Sequence, residues 1–194
     1  MEDENYLVQR SQQGELDAFN QLVERYQGQV YNLALRMLSD ESLAEDAAQE
    51  TFISAYRAIG GFRGGSFRSW VLRIAANACR DLLRAAKARR SISLEVLELT
   101  PEATPASREE SPEDHALRLE LGREIQRGLE ALPRDQRLVL FLIDIQGFSY
   151  EEAARIAQTS VGTVRSRLSR ARSKLRDLLQ QRPELLPSQF RLKK

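Results

Sequence analysis

The 194-residue chain has one cysteine, one histidine, one tryptophan and no long apolar run, and each scarcity excludes something. With Cys79 alone, no internal disulfide and no cysteine-built metal site can form. His115 lies in an acidic stretch without partners and reads as a solvated linker histidine, not a ligand or general base. Cys79, between apolar neighbours, reads as a small core residue. No apolar run approaches the roughly 20 residues of a membrane span. The start MEDENYLVQR is acidic where a secretory signal would be basic and then apolar, so a cytoplasmic location is expected. No nucleophile with a base, no phosphate-cradling glycine loop and no metal cluster is visible, so no enzyme activity, cofactor or metal is expected.

What is present is charge, and it is segregated. With 42% hydrophobic and 29% charged residues the composition is that of an ordinary soluble protein, and the net charge of +1 hides blocks of opposite sign. Residues 1–56 hold three basic and eleven acidic side chains. Residues 57–90 hold nine basic ones against the single acid Asp81, residues 91–121 are acidic again, and residues 122–194 carry fifteen basic against eight acidic. Two separated basic blocks point to two places that meet phosphate.

Apolar periodicity divides the chain into helices. Leu16, Phe19, Leu22, Val23, Tyr26, Val30, Leu33, Ala34 and Met37 recur at steps of three and four, which predicts one amphipathic helix or a closely joined pair with Gly28 as a weak point. Ser39 followed by acids suits a helix start, with helix to about Ile59. Gly60, Gly61, Gly64 and Gly65 then break the chain, leaving Phe62 and Arg63 in a loop suited to phosphate. From about Ser66 to Ala88 a helix buries Phe67, Trp70, Val71, Ile74, Ala78 and Leu82 and turns Arg73, Asn77, Arg80, Asp81 and Arg84 outward. Residues 91–112 hold three prolines, many acids and no lasting period, which marks a flexible acidic linker. Residues 113–182 form a second helical domain, in which RDQRLVLFLIDI (134–145) reads as buried helix because no second strand exists to pair with it. The expected fold is all-α: two small helical domains, 1–90 and 113–182, with a tail, 183–194, of unknown role.

The stretch SYEEAARIAQTSVGTVRSRLSRARSKLRDLL is the most informative. Ser149 with Glu152 makes a capping box, Ser160 caps a second helix after a short turn, and alanines stand where the two helices cross. This describes a helix-turn-helix whose second helix buries Val161, Val164, Leu168, Ala171, Leu175 and Leu178 and exposes Thr163, Arg165, Ser166, Arg167, Ser169, Arg170, Arg172 and Lys174. The turn carries Gln158 where such motifs commonly place glycine, so a left-handed non-glycine residue is expected there.

The string GFSYEEAARIAQTSVGTVRSRLSRARSKL resembles region 4 of extracytoplasmic-function sigma factors. The strings DAFNQLVERYQGQVYNLALRML, LAEDAAQETFISAYRAI and FRGGSFRSWVLRIAANACRDLLR resemble region 2 of the same family, in the same order, so that the resemblance covers about residues 5–180. It implies a factor that brings core RNA polymerase to promoter DNA for melting and initiation, commonly of stress-response genes under an anti-sigma factor. Asp46, Gln49, Glu50 and Phe52 match the helix that docks on the basic β′ clamp helices, where acidic residues offer charge complementarity. Phe62, Arg63, Ser66, Phe67, Arg73, Asn77 and Arg80 match the minus-ten reader, with Asn77 the foremost candidate for the base edge and Trp70 favoured as core over stacking wedge. Ser160, Thr163, Arg165, Ser166, Arg167 and Arg170 match the minus-thirty-five reader, in a domain that would also hold the β flap. The acidic linker resembles the segment that threads toward the RNA exit path, where its charge would imitate nucleic acid.

The competing reading is a helix-turn-helix regulator acting on duplex DNA without polymerase. It calls for a receiver or ligand-binding domain upstream, whereas the first domain here reads as helical and poor in pocket residues.

Overall fold

The computed structural model describes residues 3–90 and 112–182, all helices and short connections, with no strand among them. The acidic linker over 91–111 and the tail 183–194 lie outside the described residues.

The first group comprises α1 (Glu4–Gln12), α2 (Leu16–Leu38), α3 (Glu41–Ala58), a single 3-10 turn (Ile59–Gly61) and α4 (Phe67–Arg90). Helix α1 was not foreseen from the sequence, where its nine residues show too short a period to separate from an acidic terminus. It buries Leu7, Val8 and Ser11 against the rest, and the Ser11 hydroxyl is satisfied by Leu7 O at 2.7 Å. Helix α2 runs unbroken through Gly28, because its apolar stripe, with Leu22, Val30 and Leu33 fully buried, outweighs the roughly 1 kcal/mol propensity cost of one glycine. Ser39 corrects an expectation: it does not start a helix but ends α2 in a left-handed conformation (φ 56°), its N–H donating to Leu35 O at 2.8 Å. The cap of α3 is the next residue, Asp40, whose carboxylate accepts from Leu43 N at 2.9 Å. On α4 the buried face is Phe67, Val71, Leu72, Ala75, Ala76 and Cys79. Burial pushes the Cys79 thiol up to about 12, which leaves it an inert core residue.

The second group comprises α5 (Pro112–Glu130), α6 (Arg134–Leu140), a π-helical turn (Phe141–Ile145), α7 (Tyr150–Ala157) and α8 (Val161–Leu179). Pro112, the expected last linker residue, opens α5, and His115, expected in the linker, falls within that helix. The apolar 134–145 stretch is helical as expected, and its π turn, closed by Gln146 N to Phe141 O at 2.9 Å, buries Phe141 and Leu142 while leaving Asp144 within reach of α8.

The two groups pack on each other, and part-buried polar contacts join them. The Arg137 side chain of α6, 7% exposed, donates to Arg36 O (2.9 Å) and Ser39 Oγ (2.6 Å) at the end of α2, and to Glu130 O (2.6 Å) of its own group. Arg68 of α4 donates to Gln146 O (2.9 Å) and Gln146 Oε1 (2.8 Å), and its guanidinium lies 4.2 Å from the Phe148 ring centre. Arg80 of α4 donates to Ala157 O of α7 at 3.0 Å.

Candidate nucleic-acid and polymerase interfaces

The glycine loop and the start of α4 build the first site. Gly64 (φ 88°) and Gly65 (φ 90°) take left-handed conformations that side chains rarely adopt, so the chain can turn sharply into α4. The Ser66 hydroxyl then accepts from Ser69 N at 3.1 Å, as a helix cap does. The turn bounds an open cavity of about 480 Å³ lined by Phe62, Arg63, Ser66, Ser69, Trp70, Arg73 and the loop glycines, with Arg155 of α7 reaching in. Phe62 and Trp70 stand with ring centres 5.2 Å apart. Arg63 and Arg73 are exposed and have no ion-pair partner among the described residues. A cavity of that size, with an aromatic wall and free guanidinium groups, is suited to an unstacked base and its phosphate.

Two expectations change here. Phe67 was expected to touch DNA, yet it has no exposed surface: it lies under Phe62 (6.0 Å) and Trp70 (5.4 Å) and beside Tyr26 (5.6 Å), so it supports the wall without forming it. Trp70, favoured as core, is half-buried and does both, packing on Phe67 while lining the cavity. Asn77 lies two turns further along α4, half-buried, its Oδ1 accepting from Arg80 Nη1 at 2.8 Å. The Arg80 bond to Ala157 O places α7 over this part of the face.

The second site is the helix-turn-helix. The capping box is complete: Ser149 N donates to Glu152 Oε2 (2.9 Å) and Glu152 N to Ser149 Oγ (3.2 Å). The bond from Ser149 N, and after it the one from Ser149 Oγ to Glu152 Oε2 (2.8 Å), hold the Glu152 carboxyl below the ordinary glutamate range. Gln158 adopts the left-handed conformation (φ 54°) expected of the turn, and Ser160 Oγ accepts from Thr163 N at 3.1 Å to start α8. Val164, Leu168 and Ala171 are buried. Arg165, Ser166 and Arg170 are exposed on the outer side, with Thr163 half-exposed. Arg167 departs from expectation: its Nη2 meets Asp135 Oδ2 at 2.5 Å, which turns it toward α6. Arg165, Ser169, Arg172 and Arg176 share one face with Tyr150 around a second concavity of about 380 Å³. The residues matched to the minus-thirty-five reader stop at Arg170, whereas the spacing from Arg165 onward at four, seven and eleven residues extends the stripe through Arg172 to Arg176. Arg172 is held there by two bonds to Asp144, at 3.0 and 2.5 Å.

The third surface is on α3. Asp46, Gln49 and Glu50 are exposed, as expected, and Phe52 is half-buried. Phe52 edges an apolar groove between α2 and α3, of about 530 Å³, with Leu16, Phe19, Val23, Ile53 and Tyr56. Leu16, Ile53 and Tyr56 are unusually exposed for their size (55, 38 and 41%). They were missed because in the sequence they continue the core period of their helices. An apolar groove bordered by Asn20, Gln49 and Arg57, on a helix whose Asp46 and Glu50 are exposed, suits a partner that is apolar at its centre.

Comparison with known proteins decides among the readings. Residues 22–89 match the family model Sigma-70 region 2, and residues 122–175 match Sigma-70, region 4. The chain belongs to the extracytoplasmic-function sigma factors. It is 40% identical to the RNA polymerase sigma-H factor of Pseudomonas aeruginosa over 92% of this chain and 95% of that protein. It is 42% identical to the ECF RNA polymerase sigma-E factor of Escherichia coli K12 over 90% of this chain and 93% of that protein. Among solved structures it is similar to CnrH in complex with the cytosolic domain of CnrY, at a TM-score of 0.66 and 31% identity, over 91% of this chain and 96% of that one. It is also similar to the sigma factor RpoE in complex with the anti-sigma factor NepR from Bartonella quintana, at a TM-score of 0.69 and 28% identity, over 84% and 98%. A sigma factor directs RNA polymerase to promoters, and the family is not one of enzymes. Among the described residues no helix is long and apolar enough to cross a membrane, and no cluster of His, Cys, Asp or Glu could hold a metal ion.

Proposed function

We propose that the three surfaces divide the work of initiation. The glycine loop and α4 read the minus-ten element as a melted strand: Phe62 and Trp70 wall the base, Asn77 offers its amide to a base edge, and Ser66, Arg63, Arg73 and Arg80 hold the backbone. Helix α8 enters the major groove of the minus-thirty-five element, where Arg165 and Arg170 reach outward and Ser160, Thr163 and Ser166 bond phosphates near its start. The α3 face, Asp46, Gln49, Glu50 and Phe52 with the groove beside it, docks on the β′ clamp helices, and the second domain holds the β flap. The observation that carries this reading is the pairing, in one chain, of an aromatic and arginine-lined cavity at a glycine turn with a capped helix-turn-helix.

The packed arrangement is not the one that spans a promoter. Elements centred near minus ten and minus thirty-five lie about 25 base pairs apart, roughly 85 Å at about 3.4 Å per pair. The Arg80 to Ala157 contact holds α4 against α7, the first helix of the helix-turn-helix, so the domains separate when both elements are engaged. A sequestering anti-sigma factor, the partner seen with the sigma factor of Bartonella quintana, would act on this chain by favouring a compact state, in the cytoplasm.

The test is in vitro transcription with core polymerase, this chain and a genomic promoter library, with Asn77→Ala run in parallel. Specific start sites with the wild-type chain, reduced with Asn77→Ala, are expected. No transcripts, together with tight duplex binding in the absence of polymerase, would return the protein to the helix-turn-helix regulators.

A further inference from the structure

Helix α1 has no part in the division of labour above, yet two of its side chains reach into the minus-ten loop. Gln12 Nε2 donates to Ile59 O (3.0 Å) and to Phe62 O (2.8 Å). Both acceptors are carbonyls, so the amide nitrogen must be the atom that faces them. Eight residues earlier, Glu4 Oε1 accepts from Phe67 N, the first residue of α4, at 3.3 Å, and Glu4 Oε2 accepts from the Tyr26 hydroxyl. Two turns of helix, about 12 Å at about 1.5 Å per residue, thus set one side chain at the entrance of the glycine loop and the other at its exit.

The loop needs such a hold. A methyl group added at Gly60, Gly61, Gly64 or Gly65 would meet nothing within 4 Å, so the glycines of the loop are not themselves packed in place. Keeping a glycine-rich segment in one conformation costs about 1–2 kcal/mol per residue of backbone entropy. Phe62 is the residue that matters most, because its ring is one wall of the cavity and its backbone carbonyl is the one Gln12 grips. Gln12 itself is exposed and is not part of the apolar core, so core packing does not account for its position. The Glu4 and Tyr26 pair is the more buried of the two anchors: burial, then the bond to Glu4, pushes the Tyr26 phenol up to about 12, so the hydroxyl keeps its proton and goes on donating.

We propose that Gln12 and Glu4 are positioning residues for minus-ten recognition, clamping the two ends of the loop so that Phe62 and the start of α4 are already in place when the base arrives. This rests on the reading that the loop and α4 take the minus-ten strand. Preorganisation of this kind changes how well a base is distinguished, not how strongly the backbone is attracted. Loss of a clamp therefore lowers discrimination and leaves the salt dependence of binding unchanged.

The experiment uses holoenzyme made from core polymerase and the full chain. A random single-stranded pool is selected on the wild-type holoenzyme, and one winner of about twelve nucleotides, within the range of known single-strand sites, is labelled. A second copy carries an abasic site at the most strongly selected position. The readout is the ratio of the two affinities for the wild-type chain, Gln12→Met, Glu4→Met and Glu4→Gln. Methionine keeps the length without the hydrogen bonds, and glutamine at position 4 keeps an oxygen that accepts from Phe67 N while its NH2 donates to the Tyr26 hydroxyl oxygen. The expected result is a ratio reduced about fivefold in each Met variant, the effect of roughly one kcal/mol. Glu4→Gln stays near wild type, and the Tm of Gln12→Met is unaltered. A ratio in Gln12→Met within twofold of wild type would overturn the proposal, as would a Glu4→Gln variant as impaired as Glu4→Met. Failure of the wild-type holoenzyme to select any sequence would instead remove the minus-ten reading itself.

Discussion

Replacing Arg68 by alanine should open the molecule without unfolding it. In the packed state this guanidinium makes two hydrogen bonds to Gln146 across the domain contact, at 2.9 and 2.8 Å, and lies 4.2 Å from the Phe148 ring. Hydrogen bonds from a charged donor are each worth about 1.5–3 kcal/mol net, and a half-exposed cation on an aromatic ring adds about 0.5–1 kcal/mol. The contributions share one side chain and are not additive, so about 3 kcal/mol is a reasonable total, enough to shift the closed-to-open ratio about a hundredfold. The remaining partner of Arg68, Gln29 Oε1 at 2.6 Å, is on its own domain and half-exposed, so the helices of each domain keep their own cores. Energy transfer between dyes placed on α3 and α8 reads the separation directly, and circular dichroism monitors helix content. Arg68→Ala should move the population to longer distance at unchanged helicity, with Arg68→Lys intermediate because an ammonium cannot make the paired bonds or the flat stack. An Arg68→Ala distribution identical to that of the wild type would refute the assignment of these contacts as a main tie between the domains, beside those of Arg137 and Arg80.

Other consequences follow from single features of the second domain and its helix caps. Gln158→Gly should stabilise the domain by about 1 kcal/mol, read by urea unfolding, because a side chain in the left-handed conformation found there (φ 54°) costs about 1–2 kcal/mol that glycine avoids in part. Glu152 has a folded pKa below its ordinary value, so its cap contributes stability above the usual glutamate range and loses it as pH falls through the lowered folded value; in Glu152→Gln that acid-side loss should be absent from the unfolding profile. Arg165→Ala and Arg170→Ala, both exposed on α8, should each reduce the slope of log affinity for minus-thirty-five duplex against log salt by about one if they meet phosphate, whereas a base contact would show as relaxed specificity at one position.

The all-helical fold was legible because its signals are local. The Ser149 and Glu152 box, the Ser160 cap and the left-handed Gln158 each depend on residues within a few positions of one another, and each is found where the sequence places it. The miss at Ser39 and Asp40 has the same origin: two adjacent residues both able to cap a helix cannot be ranked until the end of α2 is known. Phe67 and Trp70 were harder, because a stripe of aromatics at helical spacing says which residues leave water but not which of them lies deepest. Phe67 is fully buried because Phe62, five residues away across the glycine turn, folds back over it beside Trp70, and Tyr26 of α2 packs against it.

By itself, then, the sequence determined what is set by neighbours along the chain: helices, their caps, the alternation of acidic and basic blocks, and the two motifs that carry the family likeness. Only the tertiary structure decided what depends on groups distant in sequence. It turned Arg167 to Asp135, Arg172 to Asp144 and Arg80 to Ala157 O, and it brought Gln12 to Phe62 O across fifty residues. The physical reason is that a long polar side chain has many partners within its reach and no periodicity to favour one of them. Its choice is made by which carboxylates and carbonyls the packed helices leave unsatisfied beside it.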